Sequence, residues 1–125
     1  MFDLDFFKRV NDTHGHGVGD DVLRTFASVA TNILRKSDVL ARWGGEEFAL
    51  LFPNQSLESA MGKCERIRIA IEELDCNDIA PGLKLAVSIG VTERTGLSNH
   101  EKMVSKADEN LYAAKKQGRN QVVAI

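Results

Sequence analysis

Three helical patterns alternate with short strand-like segments along this chain, and this alternation constrains the fold more than any other feature. In the helical patterns, apolar residues recur at steps of three and four, the spacing of a helix that buries one face. The predicted helices cover residues 20–36, 57–74 and 101–117. The predicted strands cover residues 38–42, 47–52, 83–91 and 121–125, and a further strand ends near residue 3. This order predicts an α+β domain, with an antiparallel-rich central sheet packed against helices.

The composition fits one hydrophobic core. The chain has 125 residues, 43% of them hydrophobic, and we predict a single domain over residues 1–125. Its 16 Lys and Arg residues are balanced by 18 Asp and Glu, which argues against a nucleic-acid-binding surface. No apolar run approaches the roughly 20 residues that span a bilayer, and the first residues lack the pattern of a signal peptide. These features favour a cytoplasmic protein without a membrane segment.

Two acidic clusters are candidates for a metal site. Asp3 and Asp5 lie at the predicted end of a strand, while Glu46 and Glu47 follow the glycine pair 44–45 in a predicted hairpin. We expect these glycines to supply the positive φ angles of a tight turn. Acidic side chains at the tip of a turn are most often only solvated. If the two clusters converge, their carboxylates would suit Mg²⁺, which prefers a few carboxylates together with phosphate oxygens.

Basic residues near these clusters could hold phosphate groups. Lys8 follows the first acidic cluster, and Lys115 and Arg119 flank the end of the last predicted helix. A lysine at a helix end could instead serve only to balance the helix dipole. The forked guanidinium of an arginine is well suited to phosphate oxygens.

Three polar residues, Asn11, His16 and Asp20, surround the glycine-rich stretch 14–19, which we predict to be a loop. Asp20 could simply cap the helix predicted to begin there. Alternatively, the amide of Asn11 and the carboxylate of Asp20 could hydrogen-bond the edge of a guanine base.

Taken together, these motifs resemble the GGDEF family of diguanylate cyclases. Residues 44–48 read GGEEF, a form of the family signature. Further segments match in order: residues 3–12 resemble DxDxFKxxND, residues 15–20 resemble GHxxGD, residues 88–91 read SIGV, and residues 107–120 are similar to the closing pattern. The resemblance implies a nucleotidyl cyclase fold with a ferredoxin-like palm. It also implies an enzyme that joins two GTP molecules into cyclic di-GMP and releases pyrophosphate.

The resemblance further implies a role for each matching position. Two Mg²⁺ ions, or Mn²⁺ in their place, would be held by Asp3, the Leu4 carbonyl, Glu46 and Glu47. Glu46 would also deprotonate the attacking 3′-hydroxyl. Guanosine would be held by Asn11, His16 and Asp20. The phosphates would be held by Lys8, Lys115, Arg119 and backbone amides near Phe6 and Phe7. Two chains would face each other as a homodimer, so that each presents one GTP to the other.

A product-inhibition site is also implied. Arg35 and Asp38 match the RxxD motif that lies before the family signature, and Arg66 could contribute a second arginine to bound cyclic di-GMP. Without the resemblance, the same two residues read as an ordinary arginine at a helix end and an aspartate at a strand start.

The sequence departs from the family pattern at its front. Members carry a helix and the first part of a central strand before the first Asp, and here only two residues precede Asp3. Loss of that part would leave unpaired backbone and an open groove in the core, which a partner element could fill by domain swapping. The alternative function is therefore a weak or silent module that binds cyclic di-GMP or GTP as a sensor. A purely structural dimerisation domain has no specific support.

Overall fold

The computed structural model of the chain describes residues 1–94 and 99–125. Its strands are β1 (Phe2–Leu4), β2 (Val39–Arg42), β3 (Glu47–Leu51), β4 (Val87–Gly90) and β5 (Val122–Val123). Its helices are α1 (Phe7–His14), α2 (His16–Ile33), α3 (Leu57–Glu72) and α4 (His100–Lys116). Among the described residues, none of the helices combines the length and the apolar character needed to cross a membrane.

Strand β1 lies at the centre of the sheet, whose strand order is β2-β3-β1-β4-β5. It pairs in antiparallel fashion with β3 on one side and β4 on the other, and its three residues are buried. Strands β4 and β5 form the parallel pair at one edge. The prediction of an antiparallel-rich α+β sheet is confirmed.

Strand β4 is buried on both faces, although the alternation of its apolar residues predicted one buried face. All four of its residues are buried. On one face, α4 packs so closely that a Cβ at Gly90 would lie 2.2 Å from the Ala107 carbonyl oxygen. On the other face, Ile89 lies beside Phe2, whose ring packs against Phe26 of α2 at a centroid distance of 5.8 Å. The alternation reports a pleated strand, but the number of covered faces depends on elements elsewhere in the chain.

The glycine-rich stretch at 14–19 is helical from His16 onward, so the prediction of a loop there is wrong. Gly15, at φ 89°, separates α1 from α2. Gly19 allows the two helices to approach, since a Cβ there would lie 1.9 Å from the Asn11 side-chain oxygen. This glycine therefore serves close packing between helices, whereas a Cβ at Gly17 would meet nothing within 4 Å.

The hairpin between β2 and β3 forms as predicted, but its glycines do not have the expected positive φ angles. Gly44 and Gly45 are absent from the residues with left-handed backbone. The turn closes instead through backbone bonds from Trp43 N (2.8 Å) and Gly44 N (3.2 Å) to the Glu47 carbonyl oxygen. The Arg42 guanidinium adds bonds to the carbonyl oxygens of both glycines, at 3.2 and 2.8 Å.

A largely apolar cavity of about 950 Å³ opens beside the first residues of β1. It reaches from Ala49 on β3 to Val91 after β4 and lies against Met103 and Val104 of α4. The amino group of Met1 lies at its inner end and donates to the Gly90 carbonyl oxygen at 2.8 Å.

Candidate active site

The end of β1 and the hairpin tip bring two acidic residues side by side. Asp3 and Glu47 are direct cross-strand partners. On either side of them, Phe2 is paired with Phe48 and Leu4 N donates to the Glu46 carbonyl oxygen at 3.3 Å. Side chains directly opposite each other project from the same face of a sheet, with Cβ atoms about 4.5–5.5 Å apart. The two acidic clusters therefore converge at these positions.

The Leu4 carbonyl provides a further oxygen at the same place. In an antiparallel pair, the N–H and C=O groups of one residue point to the same neighbour, so this carbonyl faces the hairpin. Among the described residues, Glu46 N does not return a hydrogen bond to it. The oxygen is thus available to a cation that approaches the hairpin tip.

Lys115 of α4 forms an ion pair with Asp3 on the face of the sheet that α4 covers. The Asp3 side chain is only 5% exposed, and this burial raises the pKa of the carboxyl group above its ordinary value. The Lys115 ammonium opposes that shift, while the nearby Glu46 and Glu47 carboxylates add to it. A cation at this site would relieve the repulsion among the acids, and Lys115 supplies the positive charge in this structure.

The acidic groups do not form a closed metal cage. Within residues 1–94 and 99–125, no three Asp, Glu, His or Cys side chains stand close enough to hold a metal alone. The donors that do converge are the carboxylates of Asp3 and Glu47 and the Leu4 carbonyl. This set fits magnesium, a hard cation that commonly takes its remaining ligands from water and substrate phosphates.

Asp5 does not join these acids. Its carboxylate accepts a hydrogen bond from the Ser88 hydroxyl at 2.6 Å and another from the Asn120 backbone N–H at 3.0 Å. The first acidic cluster therefore divides, with Asp3 at the hairpin and Asp5 at the turn that follows α4.

A second cavity, of about 440 Å³, lies between the α1–α2 corner and the hairpin. Six residues predicted for the site line it: Phe7, Lys8, Asn11, His16, Asp20 and Glu46. The polar residues expected to hold a base thus share one cavity with a hairpin acid and a phosphate-binding candidate. Arg42 also lines this cavity, although none of the sequence motifs points to it. Its position two residues before the glycine pair was the available signal.

Asn11 lines this cavity and carries an acceptor that is unpaired within the described part of the chain. Its side-chain oxygen is buried and has no partner among the described residues. An unpaired buried acceptor is costly, and a ligand N–H would satisfy it. A guanine edge carries such donors.

Asp20 is free to take part in the same recognition. It lies within α2, which begins four residues earlier with Gly15 as its N-cap. The alternative that Asp20 caps the helix is therefore wrong. Its side chain is exposed and lines the cavity.

Two arginines lie over the ring of Phe6. The guanidinium carbon of Arg119 is 4.8 Å from the ring centroid and that of Arg9 is 4.6 Å away. Phe6 and Arg119 both have left-handed backbone, with φ of 57° and 65°. Arg9 was not singled out from the sequence, although its spacing of three residues from Phe6 places the two side chains together at a helix start.

The residues predicted for product inhibition lie apart from these cavities. The Asp38 carboxylate is fully buried and accepts bonds from Lys63 Nζ (2.8 Å), Gln55 Nε2 (3.2 Å) and both the backbone and guanidinium of Arg35. Burial acts to raise the pKa of Asp38, but the bonds from Lys63 and Arg35 outweigh it and hold the pKa below its ordinary value. The Arg35 and Arg66 side chains are exposed.

Sequence comparison identifies the family. A family model described as "Diguanylate cyclase, GGDEF domain" matches residues 1–121. Diguanylate cyclase A of Treponema denticola is 41% identical over 123 residues, which are 98% of this chain and 33% of that protein. Diguanylate cyclase DgcM of Escherichia coli K12 is 38% identical over 124 residues, which are 99% of this chain and 30% of that protein. The chain thus spans about a third of the length of these curated relatives.

Solved structures agree with this match. The GGDEF domain of DgcB from Caulobacter crescentus, in complex with cyclic di-GMP, has a TM-score of 0.91 and 36% identity, covering 98% of this chain and 74% of that one. Diguanylate cyclase SiaD of Pseudomonas aeruginosa, in complex with its activator SiaC, has a TM-score of 0.90 and 40% identity, covering 99% and 48%. The mixed α+β fold of the chain is that of these GGDEF domain structures. The chain belongs to the GGDEF domain family.

Proposed function

We propose that this domain is a diguanylate cyclase, which condenses two GTP molecules into cyclic di-GMP and pyrophosphate. The observation that carries the proposal is the pairing of Asp3 with Glu47 beside the cavity that Asn11, Asp20 and Glu46 share. Similarity over nearly the whole chain to proteins named diguanylate cyclases supports it.

In this proposal, the cavity of about 440 Å³ holds the guanosine. The unpaired oxygen of Asn11 and the carboxylate of Asp20 accept N–H bonds from the base, and His16 lies against the nucleoside. A base that offers only acceptors at that edge would leave both groups unpaired, at about 1–3 kcal/mol each. This difference selects guanine.

Asp3, the Leu4 carbonyl, Glu46 and Glu47 hold the divalent cations. Two Mg²⁺ ions, or two Mn²⁺ ions, would neutralise the charge that develops at the α-phosphate and orient the 3′-hydroxyl. Glu46 takes the proton of that hydroxyl. Lys8 and Arg119 hold the triphosphate with the amides near Phe6 and Phe7, and Lys115 joins them once a cation replaces it at Asp3.

Each chain supplies one GTP, so catalysis requires a homodimer in which two cavities face each other. Holding the two nucleotides in place converts an encounter into a step within one complex.

The free cysteines Cys64 and Cys76 are both buried, and burial raises the pKa of the Cys64 thiol to about 12. We place the protein in the reducing cytoplasm, where GTP is available.

We further propose that cyclic di-GMP binds at Arg35, Asp38 and Arg66 and inhibits the enzyme. The exposed guanidinium of Arg35, fixed by bonds to Asp38 and to the Pro53 carbonyl oxygen at 2.9 Å, favours this assignment. Since the Asp38 carboxylate already has four donors around it, its role toward the ligand is chiefly to hold Arg35.

The alternative is a silent module that binds GTP or cyclic di-GMP as a sensor. The apolar cavity of about 950 Å³ beside β1 favours it, because an open groove in the core weakens the strand that carries Asp3. Incubation of the purified protein with GTP and Mg²⁺, followed by chromatography for cyclic di-GMP, separates the two. The enzyme forms product and the Glu46→Gln variant does not, while that variant still binds cyclic di-GMP. Binding of both nucleotides by the native protein without product would favour the sensor.

A further inference from the structure

Asp5 is the one acid of the first cluster that faces away from the hairpin, and its two partners suggest why. The Ser88 hydroxyl donates to one carboxylate oxygen at 2.6 Å, and the backbone N–H of Asn120 donates to the other at 3.0 Å. The same N–H lies 3.2 Å from the Ser88 hydroxyl oxygen. One carboxylate thus ties the end of β1 to β4 and to the turn after α4.

The turn that Asp5 holds has an unfavourable backbone. Gly118, Arg119 and Asn120 follow one another with φ angles of 118°, 65° and 48°. Left-handed conformation costs a non-glycine residue roughly 1–2 kcal/mol. Two such residues in succession persist only where surrounding bonds hold them.

The bond between Asp5 and Asn120 also brings their neighbours together. Phe6 follows Asp5 in the chain and Arg119 precedes Asn120, so the bond places the ring and the guanidinium side by side, 4.8 Å apart. Among the described residues, the Arg119 guanidinium has no hydrogen bond or ion pair to a protein group. Its position therefore depends on its backbone and on Phe6, and its charge is available to an anion.

A second set of bonds supports the same turn from α3. The Asn120 side chain accepts a bond from Arg68 at 3.0 Å and donates one to Glu72 at 3.0 Å. These bonds hold the Asn120 side chain, and Arg119 N donates to the Ala114 carbonyl oxygen at 3.0 Å. The Asp5 carboxylate differs from them because it accepts from the Asn120 backbone N–H and ties the turn directly to the end of β1.

We propose that Asp5 is a positioning residue for Arg119: by accepting the Asn120 N–H it holds the 118–120 turn so that the guanidinium faces the phosphates of the bound nucleotide. This inference rests on the proposed function, in which Arg119 binds phosphate. It assigns Asp5 neither to the metal nor to the substrate.

The test compares the binding of two ligands to the whole chain. One is 3′-deoxy-GTP with Mg²⁺, which carries the triphosphate but lacks the hydroxyl needed for condensation. The other is guanosine, which has no phosphate. We expect Asp5→Ala to weaken 3′-deoxy-GTP binding about tenfold, the equivalent of one hydrogen bond to a charged group. Guanosine binding should stay within about twofold of native.

Two further variants distinguish positioning from other roles. Asp5→Asn keeps an acceptor for the Asn120 N–H and should bind 3′-deoxy-GTP nearly as the native protein does. If Asp5 were instead a metal ligand, Asp5→Asn would weaken 3′-deoxy-GTP binding as strongly as Asp5→Ala. Arg119→Ala should weaken 3′-deoxy-GTP binding, and adding Asp5→Ala to it should cost little more because both act through one side chain.

The inference is overturned if Asp5→Ala binds 3′-deoxy-GTP normally while Arg119→Ala does not, if Asp5→Asn is as impaired as Asp5→Ala, or if the two alanine effects add. Failure of the native protein to bind 3′-deoxy-GTP would refute the proposed function itself. If Asp5→Ala does not fold, Ser88→Ala carries the test, because it removes one partner of the same carboxylate. The Ser88→Ala variant should bind 3′-deoxy-GTP more weakly than the native protein and guanosine equally well. If the variant binds both ligands as the native protein does, this would count against the inference.

Discussion

Replacement of Gly19 by alanine tests whether the α1–α2 corner forms the base-binding part of the cavity. A Cβ at this position would lie 1.9 Å from the Asn11 side-chain oxygen and 3.3 Å from the edge of the Phe7 ring. The Asn11 amide must therefore rotate away, and the acceptor that we assign to guanine is lost. Gly19 itself has an ordinary helical backbone, so no φ strain contributes.

The expected loss of affinity follows from one hydrogen bond. A guanine N–H left unpaired in the cavity costs about 1–3 kcal/mol, which corresponds to about 5- to 150-fold in the dissociation constant. Folding should change much less. Alanine in a helix interior is about 1 kcal/mol better than glycine, and this gain offsets part of the cost of moving Asn11.

The assay measures guanosine and GTP binding by calorimetry, with thermal unfolding recorded on the same samples. Gly17→Ala is the matched control. Gly17 lies two residues before Gly19 on the same helix, and a Cβ there meets nothing within 4 Å. This variant should bind both ligands as the native protein does. If Gly19→Ala binds guanosine with native affinity, Asn11 does not contact the base and our assignment of this cavity is wrong.

Three further predictions concern stability and chemistry. Gly90→Ala should prevent stable folding, because its Cβ would meet the backbone of α4 at 2.2 Å. The control Gly62→Ala, whose Cβ meets nothing within 4 Å, should raise the unfolding free energy by up to about 1 kcal/mol. Similar melting temperatures for the two variants would contradict the packing of α4. Asp38→Asn should lower the free energy of unfolding at pH 7 by about 3 kcal/mol, since it leaves Lys63 buried without its partner. The pKa of Asp38 is lowered from its usual 3.8 in the folded state, so its contribution to stability is complete above that value and is lost as the pH falls through the folded pKa. Urea unfolding should therefore show a smaller difference in unfolding free energy between native and variant near pH 3 than at pH 7. A difference that stays constant would refute this. Lys115→Met should weaken GTP binding while leaving guanosine binding unchanged, and equal loss for both ligands would show that Lys115 acts through the fold.

The positions of α3, α4 and the hairpin could be predicted from the sequence because each has a local signal. The spacing of apolar residues indicates α3 and α4, and the two strand-like segments on either side of the glycine pair 44–45 indicate β2 and β3. The start of α2 could not be found this way, since Gly19, one of the glycines that suggested a loop, lies inside the helix and serves close contact with Asn11. The same limit applies to β4, whose second covered face is made by α4.

Within the candidate site, six residues named from the motifs line one cavity, but motif order could not show how they are bonded. Of Asp3 and Asp5, the family resemblance assigns only Asp3 to the metal, but it does not show what Asp5 does; the two residues bond to Lys115 and to Asn120 respectively. Nor does it reveal that Asp38 is buried against Lys63, a residue 25 positions further along the chain. These contacts join distant segments, so they depend on tertiary packing rather than on local pattern.

Cation binding in the presence of 3′-deoxy-GTP tests the central claim most directly, because it asks whether the acids of β1 and the hairpin act together on one nucleotide. Mn²⁺ bound to the protein can be counted by electron paramagnetic resonance for the native chain and for Asp3→Ala and Glu46→Gln. We predict that the native protein binds Mn²⁺ tightly only with the nucleotide, and that either substitution, one on each side of the site, abolishes this tight binding. Native-like Mn²⁺ binding in both variants would contradict the account.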